Sequence, residues 1–209
     1  VKTLMLILKN VEQRNNKIIQ QRFGISVIHD IMKNDIINQE IRKYTQKIDS
    51  MFPDCFIWYP KWHMTLIRCE SVGFPFKVSS NEYFYRQMVK KLTAQSQIEL
   101  TYRYSRIDSD GVIRCLFSET NWKELREVEK FYTSKDLNYA VIGSPWIALG
   151  NIRTEKFKTV KRNIEDIKSI INEINISKIY IDIINLVYYE DILLQKSRCI
   201  DVVKLGESI

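Results

Sequence analysis

The pattern of apolar and polar residues in the first half of the chain predicts alternating helices and strands. Apolar residues recur at spacings of three and four between Ile37 and Ile48, which indicates a helix from about residue 35 to 51. Runs rich in β-branched residues, bounded by turn formers, are typical of strands. Strands are predicted at residues 23–29 and 62–69, and further helices at residues 1–20 and 81–96.

The second half of the chain predicts a similar order of elements. Two alternating runs flank the turn-forming segment Asp108-Ser109-Asp110-Gly111 and indicate a hairpin. Asn121 followed by Glu124 is a helix-start pattern. The predicted hairpin, helix, strand, amphipathic helix and two closing strands cover residues 98–117, 121–132, 146–149, 156–174, 179–188 and 199–205.

Each half repeats the order strand, helix, strand with a tryptophan near its start, then helix. The first copy is built around Val27 and Trp62, and the second around Cys115 and Trp146. This duplication predicts an α+β fold of two pseudo-symmetric lobes of antiparallel strands, with helices on the outside and a central cleft. No Pro/Gly/Ser linker interrupts the chain. Residues 1–22 are therefore expected to form a helical extension, and residues 23–209 a single bilobal domain.

The composition narrows the class of protein. With 209 residues, 45% of them apolar, the chain can bury a core without disulfides. Its four cysteines are far apart and are predicted to be buried thiols, and no metal-ligand or cofactor motif is visible. The longest early apolar run, Leu4 to Leu8, is too short to cross a bilayer, so we expect a cytoplasmic protein without membrane contact. The net charge of +7 favours polyanionic partners such as RNA.

The candidate chemistry lies on the strand that begins near Trp62. Side chains alternate along a strand, so His63 and Thr65 point to one face, whereas Met64 and Leu66 point to the core. An imidazole can move a proton near neutral pH, and a hydroxyl can donate a hydrogen bond to a non-bridging phosphate oxygen. The pair therefore suits a phosphate ester.

The stretch His63-Met64-Thr65-Leu66 resembles the first motif of the two-histidine phosphoesterases, a family that includes RNA 2′,5′-ligase-like proteins and 2′,3′-cyclic phosphodiesterases. Members carry two His-x-Thr/Ser motifs on the central strands of two lobes. One histidine acts as general base and the other as general acid. The order of elements extends the resemblance over roughly residues 23–205, and Leu186 to Asp191 is similar to the family's final strand. The resemblance implies catalytic roles for His63 and Thr65, a nucleotide or RNA phosphate ester as partner, and no metal.

The second motif is missing. In the internal repeat, Trp146 and Ala148 align with His63 and Thr65. Losing one acid–base group commonly lowers a rate by ~10²–10⁴-fold. The leading hypothesis is therefore a degenerate site that binds a phosphate ester with weak or no classical hydrolysis. One alternative is an active metal-independent phosphodiesterase, in which a substitute acid such as His29 assists His63. Another is a protein-interaction module in which Trp146 closes the cleft.

Further residues are candidates for ligand contacts, each with a plain structural alternative. Trp146, like Tyr59 and Trp58, can stack on a nucleobase or fill the core. Three basic residues can either contact phosphate oxygens or be solvated: Arg68, Arg153 and Lys61. The same two possibilities hold for the lysine-rich helix face from Lys156 to Lys168. The predicted ligand-binding set is Trp146, Ala148, Tyr59, Arg68, Arg153 and His29. The oligomeric state stays open.

Overall fold

The computed structural model describes residues 2–72, 79–93, 96–119, 140–141, 145–176 and 178–206. Its helices are α1 (Lys2–Ile19), α2 (Asp35–Met51), α3 (Ser79–Lys91), α4 (Phe157–Arg162) and α5 (Ile164–Asn172), with single 3₁₀ turns at Ile31–Lys33 and Thr154–Lys156. Its strands are β1 (Phe23–Asp30), β2 (Phe56–Trp58), β3 (His63–Val72), β4 (Ile98–Ile107), β5 (Val112–Glu119), β6 (Ala140–Val141), β7 (Trp146–Ile152), β8 (Ile179–Ile181), β9 (Ile183–Tyr189) and β10 (Ser197–Lys204).

The strands form two antiparallel sheets of five strands each. The first sheet has the order β10-β9-β1-β3-β6, and the second has the order β2-β7-β5-β4-β8. Helix α5 packs on β4 of the second sheet, and α3 packs on β9 and β10 of the first. The predicted α+β class, with two lobes of antiparallel strands and helices outside, is confirmed.

The internal repeat extends to the pairing of individual residues. In the first sheet Ile28 pairs with Thr65 and Val27 with Ile67, so one residue of β3 is skipped. In the second sheet Arg114 pairs with Ala148 and Ile113 with Gly150, so one residue of β7 is skipped at the corresponding place. Such an irregularity changes which side chains face each side of a sheet. The two lobes therefore share both their topology and a β-bulge.

Each lobe gives a short edge strand to the other. β2 precedes β3 in the chain but pairs with β7, and β6 precedes β7 but pairs with β3. We call β2 and β6 the exchanged edge strands. The pattern of apolar and polar residues predicted neither of them.

One continuous hydrophobic core joins the two sheets and their helices. The amphipathic pattern of α2 explains its place in that core, since Ile37, Ile41, Tyr44 and Ile48 are all buried. Asn34 begins the helix, because its side-chain oxygen accepts a hydrogen bond from the Ile37 amide at 3.1 Å. Helix α2 has the predicted bounds of residues 35–51.

Helix α1 is attached to the second lobe by both apolar and polar contacts. Val11 is fully buried in the common core. Asn15 Nδ2 donates to the carbonyl of Ile152 at 3.1 Å and to Thr154 Oγ1 at 2.7 Å. Asn151 Nδ2 donates in turn to Asn15 Oδ1. These contacts fix both the position and the rotation of the helix.

Two predicted elements are divided in the structure. The helix expected over residues 156–174 is broken at Asn163, whose side-chain amide donates to the carbonyl of Thr159 at 2.9 Å. The strand expected over residues 179–188 is broken at Asp182. Its first part, β8, belongs to the second sheet, and its second part, β9, belongs to the first.

Smaller differences concern ends and exposure. α3 ends at Lys91 rather than near residue 96. The helix predicted at residues 121–132 lies outside the described residues. The prediction of four buried thiols is wrong for Cys199, which is exposed on β10, whereas Cys55, Cys69 and Cys115 are buried. Among the described residues, no helix is long and apolar enough to cross a membrane.

Candidate functional site

A cavity of about 320 Å³ lies between the two sheets. Its walls come from the first sheet and its β9–β10 loop, from β7 and the residue that follows β2, and from helix α1. The lining residues are Arg14, Lys17, Arg22, Ser26, Ile28, Tyr59, His63, Thr65, Arg68, Trp146, Ala148, Tyr189, Ile192 and Leu194. Six of the residues singled out from the sequence therefore meet here: His63, Thr65, Tyr59, Arg68, Trp146 and Ala148.

Strand β3 places His63 and Thr65 on the cavity wall. Both side chains are half-buried, whereas the alternate residues Met64 and Leu66 are fully buried in the core. Beyond Thr65 the bulge shifts the alternation by one residue. As a result Arg68, rather than Ile67, faces the cavity with the other two.

Burial lowers the pKa of His63 below its ordinary value of 6.5, although a contact with the Lys61 carbonyl and the charge of Asp30 oppose the shift. His63 Nδ1 lies 3.4 Å from that carbonyl oxygen. A carbonyl can only accept a hydrogen bond, so this long contact favours the tautomer in which Nδ1 carries the proton and Nε2 has the free lone pair. At neutral pH the imidazole is therefore uncharged and can accept a proton.

The corresponding wall of the second lobe carries different chemistry. Trp146 and Ala148 occupy the places in β7 that His63 and Thr65 occupy in β3. The guanidinium carbon of Arg114, from the neighbouring strand, lies 5.1 Å from the centroid of the Trp146 ring. This distance is within the range of a cation–π interaction. An indole thus stands where the repeat would put a second imidazole, with the guanidinium of the neighbouring strand against its ring.

Arg114 is held in place by two carboxylates. Its Nη1 and Nη2 donate to Asp110 at 2.9 and 2.7 Å, and Nη1 also donates to Asp108. Burial alone would lower the pKa of Arg114, but the hydrogen bonds and charges of Asp110 and Asp108 outweigh it and raise the pKa. Burial would likewise raise the pKa of Asp110, and Arg114 reverses that direction.

The cavity is strongly basic. Arg14, Lys17, Arg22 and Arg68 line it, and no carboxylate is among the lining residues. Within the described part of the chain, none of these four side chains forms an ion pair with a carboxylate. Arg68 was a candidate from the sequence, whereas Arg14, Lys17 and Arg22 were not. Arg14 and Lys17 belong to a polar stretch of the sequence. Their three-residue spacing, which places them on one side of a helix, could have indicated a common role.

Tyr59 connects α1 to the second lobe. Its amide donates to the Leu149 carbonyl at 3.0 Å, and its hydroxyl accepts a hydrogen bond from Arg14 Nη2 at 3.1 Å. Burial raises the pKa of Tyr59, although the nearby charge of Arg14 acts in the opposite direction. The phenol therefore stays protonated at neutral pH.

The β9–β10 loop forms an apolar wall of the cavity. The carboxylate of Asp191 accepts backbone hydrogen bonds from Leu193 at 2.9 Å, Gln195 at 3.1 Å and Lys196 at 2.6 Å. Leu194 has a positive φ of 57°, an unfavourable conformation for a branched side chain. This fixed loop directs Ile192 and Leu194 into the cavity.

A second cavity of about 610 Å³ adjoins the first and shares Ile28, His63 and Leu194 with it. Lys61 borders this second cavity. His63 therefore lies at the boundary between two spaces, of which only the first is lined by basic residues without a carboxylate.

Three other candidates lie away from the basic cavity. His29 points to the opposite side of β1 from Ile28 and borders a separate cavity with Asp182, and its Nδ1–H donates to the Ile183 carbonyl at 2.9 Å. Burial lowers the pKa of His29. Arg153 lies 3.9 Å from Glu155 and does not line the basic cavity. Trp58 Nε1 donates to Asp49 at 3.1 Å at another surface depression.

Among the described residues, no group of three or more His, Cys, Asp or Glu side chains is arranged to hold a metal ion. The lysine-rich helix face is exposed, and Lys168 pairs with Glu165 at 2.8 Å.

No protein-family model and no curated protein sequence matches the chain. Among solved structures, that of Kluyveromyces marxianus Usb1 matches with a TM-score of 0.44 and 8% sequence identity. The match covers 87% of this chain and 97% of that one.

Proposed function

We propose that the protein binds a phosphate ester, either a nucleotide or an RNA end, in the cavity between its lobes, and that it is a degenerate two-histidine phosphoesterase with weak or no classical hydrolysis. One observation carries the proposal. Four basic side chains and no carboxylate line the cavity that contains His63 and Thr65. An anionic ligand is the species that such a cavity favours.

Each residue of the first lobe has a role that fits its chemistry. The Thr65 hydroxyl donates a hydrogen bond to a non-bridging phosphate oxygen. The Arg68 guanidinium supplies charge and two parallel donors. The neutral His63 accepts a hydrogen bond from a ribose hydroxyl, or donates one to phosphate when it is protonated.

The second lobe supports the proposal of weak or no hydrolysis. Cleavage needs a proton donor at the leaving oxygen, on the side opposite to the base. The indole of Trp146 and the methyl group of Ala148 offer no such donor. Trp146 instead presents an aromatic surface backed by Arg114, which suits stacking on a nucleobase.

A second candidate function is slow phosphodiester hydrolysis, and Tyr59 is the observation that favours it. In this reaction His63 takes a proton from the attacking hydroxyl or water, and the oxygen of that nucleophile bonds to phosphorus. The bond to the leaving oxygen breaks, and the protonated Tyr59 phenol donates a proton to that oxygen. Both groups line the same cavity, whereas His29 does not.

Titration with nucleoside 3′-monophosphates and 2′,3′-cyclic phosphates tests the proposal, with tryptophan fluorescence as the readout. We expect quenching that is lost in His63→Ala and in Thr65→Val, while both variants keep the wild-type far-UV circular dichroism. His29→Ala and Arg153→Ala are matched controls outside the cavity and should respond as wild type. No response to any phosphate ester, or an equal loss of quenching in the controls, would overturn the proposal. Turnover abolished by both His63→Ala and Tyr59→Phe favours the second candidate.

A further inference from the structure

We infer that helix α1 provides a second phosphate subsite, so that the ligand is a single-stranded oligonucleotide with at least two phosphates rather than a mononucleotide. The inference rests on the proposed function and extends it from the first sheet to the helix that faces it across the cavity.

Two basic residues lie side by side on α1. Arg14 and Lys17 are three residues apart, which places them next to each other on one side of a helix. Both line the cavity, as does Arg22, which directly precedes β1. Arg68 comes from β3 of the first sheet, whereas α1 is attached to the second lobe. The basic residues of α1 and the basic residue beside Thr65 therefore form two groups.

The helix is held rigidly enough to define a site. Val11 is fully buried, and Asn15 is bound to Ile152, Thr154 and Asn151 of the second lobe. Arg14 lies between these two anchors in the sequence. Its guanidinium is oriented by the hydrogen bond from Nη2 to the Tyr59 hydroxyl. Such preorganisation lowers the entropic cost of binding an anion.

The separation of the cations favours two phosphates over one. A phosphomonoester carries about −1.5 to −2 at neutral pH, and two diesters of a nucleic acid strand together carry about −2, so the total charge is similar for the two ligands. The placement of the charges differs, because Arg14 and Lys17 lie on α1 and Arg68 lies on β3 beside Thr65. No carboxylate lines the cavity, although Asp110 is close enough to Arg14 to interact with it electrostatically. A strand that passes from Thr65 towards α1 would place one phosphate at each group.

The experiment compares a nucleoside 3′-monophosphate with a single-stranded tetraribonucleotide over a range of salt concentrations. For the wild type we expect tighter binding of the oligonucleotide and a steeper salt dependence. In the Arg14→Ala/Lys17→Ala double variant the preference for the oligonucleotide should fall at least tenfold. The slope of log K against log salt should decrease by about 0.7 for each phosphate that the protein no longer neutralises.

Two further variants keep the test decisive. Lys9→Ala removes an exposed charge of α1 outside the cavity and should change nothing. Lys17→Ala alone removes an exposed side chain, so it leaves the Arg14–Tyr59 hydrogen bond intact and should still reduce the preference. Equal binding of the two ligands by the wild type would overturn the subsite. So would an unchanged preference for the oligonucleotide in both the Arg14→Ala/Lys17→Ala variant and the Lys17→Ala variant. Mononucleotide binding that is insensitive to His63→Ala would instead overturn the proposed function itself.

Discussion

His63 and Trp146 begin equivalent strands of the two sheets, and their side chains line the same cavity. The two strands share a bulge at the same place and the orientation of the first residue, but that residue is a histidine in β3 and a tryptophan in β7. The difference in chemistry between the lobes therefore lies in a few side chains on a similar backbone.

Introducing a second His-x-Thr motif in β7 should increase hydrolysis. In the Trp146→His/Ala148→Thr double variant, a proton donor and a hydroxyl replace the indole and the methyl group. We expect turnover of 2′,3′-cyclic nucleotides without added metal to rise ~10²–10⁴-fold above that of the wild type. Phosphate release under neutral, chelated conditions measures it. The Trp146→Ala/Ala148→Thr variant lacks the imidazole and should show no gain, and an equal gain there would contradict the role assigned to the second imidazole.

Acidification should destabilise the protein through its two histidines. The folded-state pKa of both His63 and His29 lies below the ordinary value of 6.5 because of burial. Below pH 6.5 the unfolded chain therefore binds more protons than the folded one, and the free energy of unfolding decreases as the pH falls. Well above that pH both states are deprotonated at these two groups, which then add no pH dependence.

Urea unfolding between pH 5 and pH 8 measures this effect. The midpoint should be flat above about pH 7 and should fall on acidification, and the fall should be smaller in His63→Asn and smaller again when His29→Asn is added. If the wild-type urea midpoint instead rose on acidification while the midpoints of the histidine variants stayed constant, the effect would have the opposite sign. That result would contradict the burial of these imidazoles.

Substituting Gly111 should weaken the attachment of α1. Gly111 has a φ of 79°, and a Cβ built there would lie 2.8 Å from Cγ2 of Val11. Gly111→Ala therefore combines an unfavourable backbone conformation with a steric clash, and we expect a loss of about 2–4 kcal/mol in the free energy of unfolding. Chemical denaturation provides the measurement.

Gly206 is a matched control because its φ is also 79° but nothing lies within 4 Å of a built Cβ. Gly206→Ala should cost about 1 kcal/mol, which reflects the backbone alone. If the contact with Val11 matters, Gly111→Ala should cost less in a Val11→Ala background than in wild type. Equal costs at Gly111 and Gly206 would show that the helix does not pack against this turn.

Arg114 should matter more for stability than Arg106, although both pair with Asp108. The Arg114 side chain is 14% exposed and the Arg106 side chain is 51% exposed. Arg114→Leu leaves two carboxylates without a buried partner and should cost about 3 kcal/mol. Arg106→Leu should cost less than about 1 kcal/mol, as is usual for a surface ion pair. Thermal unfolding of the two variants checks the order, and a reversed order would contradict it.

The sequence allowed the prediction of the α+β class, the duplication and the convergence of His63 with Trp146. Those features depend on local periodicity and on the order of elements. The division at Asp182 was missed because one apolar run serves two sheets in turn, and only the tertiary fold decides where it crosses. The break at Asn163 was missed because the apolar stripe continues on both sides of it.

The basic wall of the site was harder to foresee. Arg14 and Lys17 lie far in sequence from His63, and their role depends on where α1 docks. That docking is set by Val11 and the amide contacts of Asn15, which look ordinary in a polar stretch. His29 was considered as a substitute acid because of its residue type, and the alternation of β1 turns it to the other side of the sheet.

The exchanged edge strands have a mechanical consequence. β2 and β6 each connect one lobe to the sheet of the other. A hinge opening of the lobes would therefore break main-chain hydrogen bonds. A ligand must therefore enter through the mouth of a cavity whose width is already set. Expressing either half alone would leave an unpaired strand edge on β3 or β7.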